Sequence, residues 1–395
     1  MSRQAPLTGA PECLDAAALL DWLRGETPAM CGLLERLACA ESPTLAPAAQ
    51  AEAYSILASE LAALDFAVTR VPAWNVGNHL YARPADRRRG APSQLVVGHL
   101  DTVWPLGTIQ RMPVRLEDDR LYGPGVCDMK GGLVQMLFAL RALAEHGLAP
   151  EVTPVVFIGA DEEVGSAESR RYVRLLARCA LRALVLEPGL GPDGRLKTAR
   201  KGSGHFRLVV HGRAAHAGVS PEEGRSAILE LSHQIQRLFA LNDPAHGITV
   251  NVGVIDGGMR PNVVAPEASA QIDVRAPTLD AAREVEQAIR ALAPVDPDTA
   301  IEVEGSFPRP PMEATRRNLA LWEQARAAGA RLGLSLDHVA VGGSSDGNLT
   351  SPHTATLDGL GVVGGGSHAP DEHVVVSRMA ERAALLALLL LEPPA

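Results

Sequence analysis

The stretch LYGPGVCDMKGGLVQML, residues 121–137, constrains the fold most. Glycines and a proline form a loop around one carboxylate, Asp128, and an apolar run at helical spacing follows it: Leu133, Val134, Met136, Leu137 and Leu140. The chain must bury a helix whose mouth holds an acid. Taken alone, such an acid reads as an N-cap. Four other places change that reading. They are His99 and Asp101 in VVGHLDTV, Glu162 and Glu163 in FIGADEEVGS, Glu187 in LVLEPG, and His368 in GGGSHAPDEHV. Each follows a short apolar run or lies in a glycine-rich loop, where a sheet presents its strand ends.

The surrounding pattern supplies such a sheet. Residues 14–64 read as helices. Strand patterns at 66–71, 79–82, 94–98, 155–159 and 183–186 are interleaved with helices at 133–146 and 167–177. This alternation predicts an α/β domain with a mostly parallel mixed sheet flanked by helices. After residue 200 the order becomes βαββαβ: strands at 206–211, 248–255, 268–274 and 300–303, helices at 227–241 and 280–292. That is a small α+β sandwich. Helices at 318–332 and from Ser377 then resume the first pattern. The simplest arrangement is one domain inserted into another: a first catalytic part at 1–200, an insert at 201–309 and a second catalytic part at 310–395.

Composition excludes several classes. A net charge of -9 argues against a nucleic-acid partner. The basic run Arg87-Arg88-Arg89 reads as a solvated loop. The N-terminus lacks the pattern of a signal peptide, and the apolar stretch 383–391 is too short to span a bilayer. Cysteines at 13, 31, 39, 127 and 179 are odd in number and form no C-x-x-C pair. A disulfide framework is not expected, and a reducing cytoplasm is.

Carboxylates and neutral imidazoles are ligands for zinc, with cobalt or manganese as alternatives. Two metals need a shared ligand, and Asp128 is the best bridge candidate. Asp101, two residues after His99, is placed to accept from the second ring nitrogen of that histidine; the bland alternative is a turn residue. Of the adjacent acids Glu162 and Glu163, one can bind metal while the other stays free as a base; alone, the pair would read as a solvated loop. Cys127 is a further candidate ligand, although a small packed residue fits it better. His146, His211, His233 and His246 have no comparable context.

The motifs GHLDTV, GPGVCDMKGG, ADEEVGS, LVLEPG, GRAAHAG and GGSHAPDE occur in this order through almost the whole chain. Together they resemble the family of di-zinc exopeptidases and deacylases that includes glutamate carboxypeptidase, acetylornithine deacetylase and succinyl-diaminopimelate desuccinylase, with glutamate carboxypeptidase the nearest pattern. The resemblance implies a zinc-exopeptidase fold whose insert is a lid and dimerisation domain. It implies two zinc ions per subunit, with Asp128 bridging, His99 and Glu187 completing one site, and Glu163 and His368 the other. Glu162 would be the general base and Asp101 the support of His99. His216 would polarise the scissile carbonyl from the partner subunit of a homodimer. Asn262, Arg275 and Arg309 would hold the substrate, and the peptide bond Asp128–Met129 would be cis. The family's GGGTDA loop reads GGSSDG at 342–347. Since that loop borders the substrate, glutamate specificity is not carried over.

The expected function is hydrolysis of an amide bond next to a free carboxylate, on a peptide or an N-acyl amino acid. The nearest alternative is an N-acyl-amino-acid deacylase with the same machinery. A metal-free peptide-binding relative would need a lost ligand or base, and all six positions are filled. A nucleotide-binding oxidoreductase would need G-x-G-x-x-G, which GPGVCDMKGG lacks.

Overall fold

The computed structural model describes residues 15–394. Cys13 and the start of the N-terminal stretch read above lie outside them. The large sheet has six strands in the order Phe66–Val71, His79–Pro84, Thr153–Gly159, Ser93–His99, Ala180–Val185 and Ala355–Leu357. The last four run parallel to one another, and the first two add an antiparallel edge. Strand Ser93–His99 is buried along its whole length, as a central strand covered on both faces must be.

Helix Gly131–Glu145 is the buried helix that the 121–137 stretch demands. Gly132 leaves no room for a Cβ against the Leu186 carbonyl oxygen, so the helix start packs directly on the chain carrying Glu187. The apolar stretch 383–391 lies within a second core helix, Met379–Leu391, which packs on the first. Leu385, Leu386, Leu388, Leu389 and Leu390 are fully buried there, and each such side chain contributes about 1.5–3 kcal/mol. No helix among the described residues is long and apolar enough to cross a membrane.

The second unit is a four-stranded antiparallel sheet in the order Thr249–Gly257, Glu267–Ala276, Gly202–His211 and Ala300–Arg309. Helices Ala227–Phe239 and Leu279–Arg290 pack on one face of it. Leu231, Leu238, Val285 and Ile289 meet Phe206, Leu208, Val210 and Ile272 in a separate core. Ser226 and Thr278 cap the two helices through their side-chain oxygens. The strands run longer than their apolar patterns predict, and the last one reaches Arg309 itself.

Small pieces escaped the sequence reading. Strands Arg115–Glu117, Arg120–Tyr122, Gly364–Gly365 and His373–Val375 form one minor sheet, and Leu196–Arg200 pairs with His338–Val341. They run only two to five residues each, too short for an alternating pattern to stand out.

Candidate metal centre

His99 ends a central strand, Glu162 and Glu163 follow the next one, and Glu187 follows a third. The site thus lies beyond the carboxyl ends of parallel strands, where open α/β sheets bind ligands. Asp128 does not cap its helix; the N-cap position is Lys130. The peptide bond Asp128–Met129 is cis.

The carboxylate of Asp128 divides its two oxygens between two imidazoles. Oδ1 lies 3.3 Å from His99 Nε2, and Oδ2 lies 3.5 Å from His368 Nε2. Glu187 Oε1 is 3.6 Å from His99 Nε2, and Glu163 Oε2 is 3.3 Å from His368 Nε2. His99 Nε2 and Glu163 Oε1 are buried with no hydrogen-bond partner. Orphaned buried polar atoms converging in an all-oxygen-and-imidazole set fit a shared zinc-type cation. Two triads have ligand atoms mutually within 4.8 Å: His99, Asp128 and Glu163, and His99, Glu162 and Glu187. They cut across the expected grouping. Both contain His99, and one contains Glu162.

Electrostatics follow the same convergence. Burial works against a charged His99, yet Asp101, Asp128 and Glu187 raise its pKa well above the usual value. Asp128 and Glu163 push His368 up to about 10. Burial opposes ionisation of Asp128, but the two histidines hold its pKa far below the carboxylate range. Burial raises Glu162 well above that range despite the nearby Arg309 guanidinium. A cation bound here replaces the imidazole protons, so binding releases protons.

Asp101 does more than face His99. His99 Nδ1 is 2.9 Å from the Asp101 carbonyl oxygen and 3.5 Å from its carboxylate. The carboxylate accepts from the Thr44 hydroxyl at 2.7 Å and from the backbone N–H of Glu162 and of Glu163, both at 3.2 Å. It therefore fixes the turn that aims the two acids.

The lid residues are placed differently. The N–H of Ala217 donates to the Asn262 carbonyl, and His216 bridges to Val263, so these two loops meet each other. Both His216 and Asn262 are exposed. Among the described residues, no hydrogen bond or ion pair links either side chain to the carboxylates of the centre. Arg275 forks onto Asp273 at 2.8 and 2.9 Å. Arg309 is buried, with its guanidinium 2.8 Å from the Glu162 carboxylate.

Sequence reasoning missed Glu372. Fully buried, it accepts from the Trp104 indole and from the backbone N–H groups of Gly125, Cys127 and Asp128. The one available signal was its spacing of two from buried Val374, just before the short strand His373–Val375. Arg200, 2.6 Å from buried Asp358 and 3.6 Å from Glu187, was also missed.

Fold and site together define an α/β protein with a candidate metal centre, and its membership of the peptidase family below makes it a metallohydrolase acting on amide bonds. Residues 95–392 match peptidase family M20/M25/M40, and the chain belongs to that family. Carboxypeptidase G2 from Pseudomonas sp. (strain RS-16) is 30% identical over 377 residues, covering 93% of this chain and 90% of its own. Succinyl-diaminopimelate desuccinylase from Granulibacter bethesdensis is 27% identical over 358 residues, covering 85% and 90%. Among solved structures, aminopeptidase PepT from Bacillus cereus superposes with a TM-score of 0.74 at 22% identity, covering 92% of this chain and 98% of its own.

Proposed function

We propose that this chain is a two-zinc hydrolase of the carboxypeptidase G2 type, releasing a C-terminal amino acid from a peptide or an N-acyl amino acid. The observation that carries the reading is Asp128, whose two oxygens each face a different imidazole. That is the arrangement of a bridging ligand. His99 and Glu187 would complete one site, and Glu163 and His368 the other. Metal ions held by these residues would polarise the carbonyl and acidify a water.

The chain's own groups do the rest. Glu162, its carboxylate paired with the Arg309 guanidinium, takes the proton from the attacking water and returns it to the leaving amine. Asp101 holds His99 and the Glu162–Glu163 turn in register. His216 stabilises the developing oxyanion and acts from the partner of a homodimer. The exposed edge strand Thr249–Gly257 is the surface through which we pair the two lids. Arg275 and Asn262 receive the substrate carboxylate, whereas the guanidinium of Arg309 is engaged with Glu162 and stays clear of the substrate. An odd number of cysteines without a C-x-x-C pair supports a reducing, cytoplasmic setting.

Deacylation of an N-acyl amino acid is the second reading, favoured by the similarity to the desuccinylase. Mass spectrometry on a panel of dipeptides, N-acyl glutamates and other N-acyl amino acids, with zinc, cobalt or manganese, separates the two. Release of a C-terminal amino acid from peptides supports the first reading. Turnover confined to short N-acyl groups supports the second.

A further inference from the structure

The lid joins the rest of the chain through two crossings, and these pair with each other. Arg200 and Met312 exchange backbone hydrogen bonds at 2.8 and 3.0 Å, and Ser203 is in register with Arg309. The result is a two-stranded strap, residues 200–203 against 309–312. Gly202 packs so closely that a Cβ would lie 2.7 Å from the Pro311 ring. Loop 342–348 grips the strap from the catalytic side. Asn348 Nδ2 donates to the carbonyls of Lys201 and Pro310 at 3.0 and 2.8 Å.

Each crossing carries one buried arginine, and each arginine lies against a different acid of the triad His99, Glu162 and Glu187. Arg309 is 2.8 Å from the Glu162 carboxylate. It also donates to the Glu162 carbonyl at 2.8 Å and to the Ser166 hydroxyl at 2.7 Å. Ser166 in turn donates to Asp346 at 2.6 Å. Arg200 lies 3.6 Å from Glu187 Oε2 while its Nε donates to Asp358 at 2.6 Å. Ser345 donates to the same Asp358 oxygen at 2.6 Å, and Gly343 accepts from Arg200 at 3.1 Å. The GGSSDG loop is therefore wired to both arginines.

We propose that Arg309 and Arg200 are positioning residues that hold Glu162 and Glu187 from behind, so that the strap carrying the lid and the reacting centre move as one unit. This rests on the reading of Glu162 as the base. A guanidinium fork spanning a carboxylate, a carbonyl and a hydroxyl fixes both position and orientation, which a point charge does not. Removing either partner of such a buried pair leaves the other uncompensated. Disturbance on the catalytic side must then appear in the strap.

The test is hydrogen exchange on the full-length, metal-loaded protein, read at the amides of Arg200, Lys201 and Met312. Amides of the lid core, such as Leu231, serve as reference. Glu162→Ala and Arg309→Lys should each speed exchange at the strap by about tenfold or more relative to the reference. The double variant should be no faster than the faster single one. Arg309→Lys should also lower kcat equally on a carboxylate substrate and its amide, with KM unchanged. Strap amides at wild-type rates in Glu162→Ala would overturn the coupling, whatever Arg309→Lys does. So would a rise in KM confined to the carboxylate substrate. The exchange measurement uses no substrate, so its failure is distinct from failure of the proposed activity.

Discussion

Glu372 accepts the backbone N–H of Asp128 at 3.0 Å, joining chain segments 244 residues apart. The same carboxylate accepts from Gly125 at 2.8 Å and Cys127 at 2.9 Å, so it folds the Asp128 loop around itself. It also lies four residues after His368, tying two expected ligands into one frame.

Replacing Glu372 by Gln should therefore loosen the centre. An amide puts donors where the loop already supplies donors. Metal affinity should fall by about 10–100-fold, as for other groups that orient ligands from behind. Competition against a chromophoric chelator measures it, and an unchanged affinity would contradict the frame.

Arg275 is engaged with Asp273 through both arms of its fork, so a substrate carboxylate must share or displace that partner. Arg275→Lys should cost about tenfold or more in kcat/KM on acid substrates. A substrate with that carboxylate amidated should lose little further. Equal discrimination of acid from amide by variant and wild type would remove Arg275 from the substrate site.

If His216 serves the neighbouring subunit, two inactive variants should repair each other. His216→Ala mixed with Glu162→Gln, under conditions of subunit exchange, yields a dimer with one intact site. Activity should return in the mixture and in neither parent. Proven exchange without recovery would mean that His216 does not act in trans.

His79, outside the expected ligand set, offers a pH test of stability. It is fully buried, its Nδ1 accepts from the Ala160 N–H, and burial lowers its pKa. The unfolded chain then binds a proton that the fold excludes. Stability falls as pH drops below the unfolded value of about 6.5, down to the depressed folded value. His79→Gln, which keeps an acceptor and cannot titrate, should lose less Tm than wild type between pH 7.5 and 5.5. Identical slopes would show that His79 does not contribute.

Much of this molecule is legible in its sequence because the signals are local. Apolar runs ending in His99, Glu162 and Glu187 announce strand ends, and the glycine pair after Asp128 announces a close helix start. Sheet order is not legible, since nothing in the run 153–159 says that it lies between 79–84 and 93–99. Nor are the braces. Arg309 meets Glu162 across 147 residues, and Glu372 meets Gly125 across 247. A single buried charge carries no pattern that identifies its partner. Arg275 pairs with Asp273, two residues before it, as its position near a strand end allows.

The central claim is a two-metal centre in which Glu162 is the free base. Glu162 sits within one of the two ligand triads, where it could serve as a base or as a ligand. Metal content and turnover of Glu162→Gln decide it. Wild type and variant alike should hold two metals per chain, with turnover of the variant lower by about 10²–10⁴-fold. Loss of a metal from the variant would make Glu162 a ligand, and the base would have to be sought elsewhere.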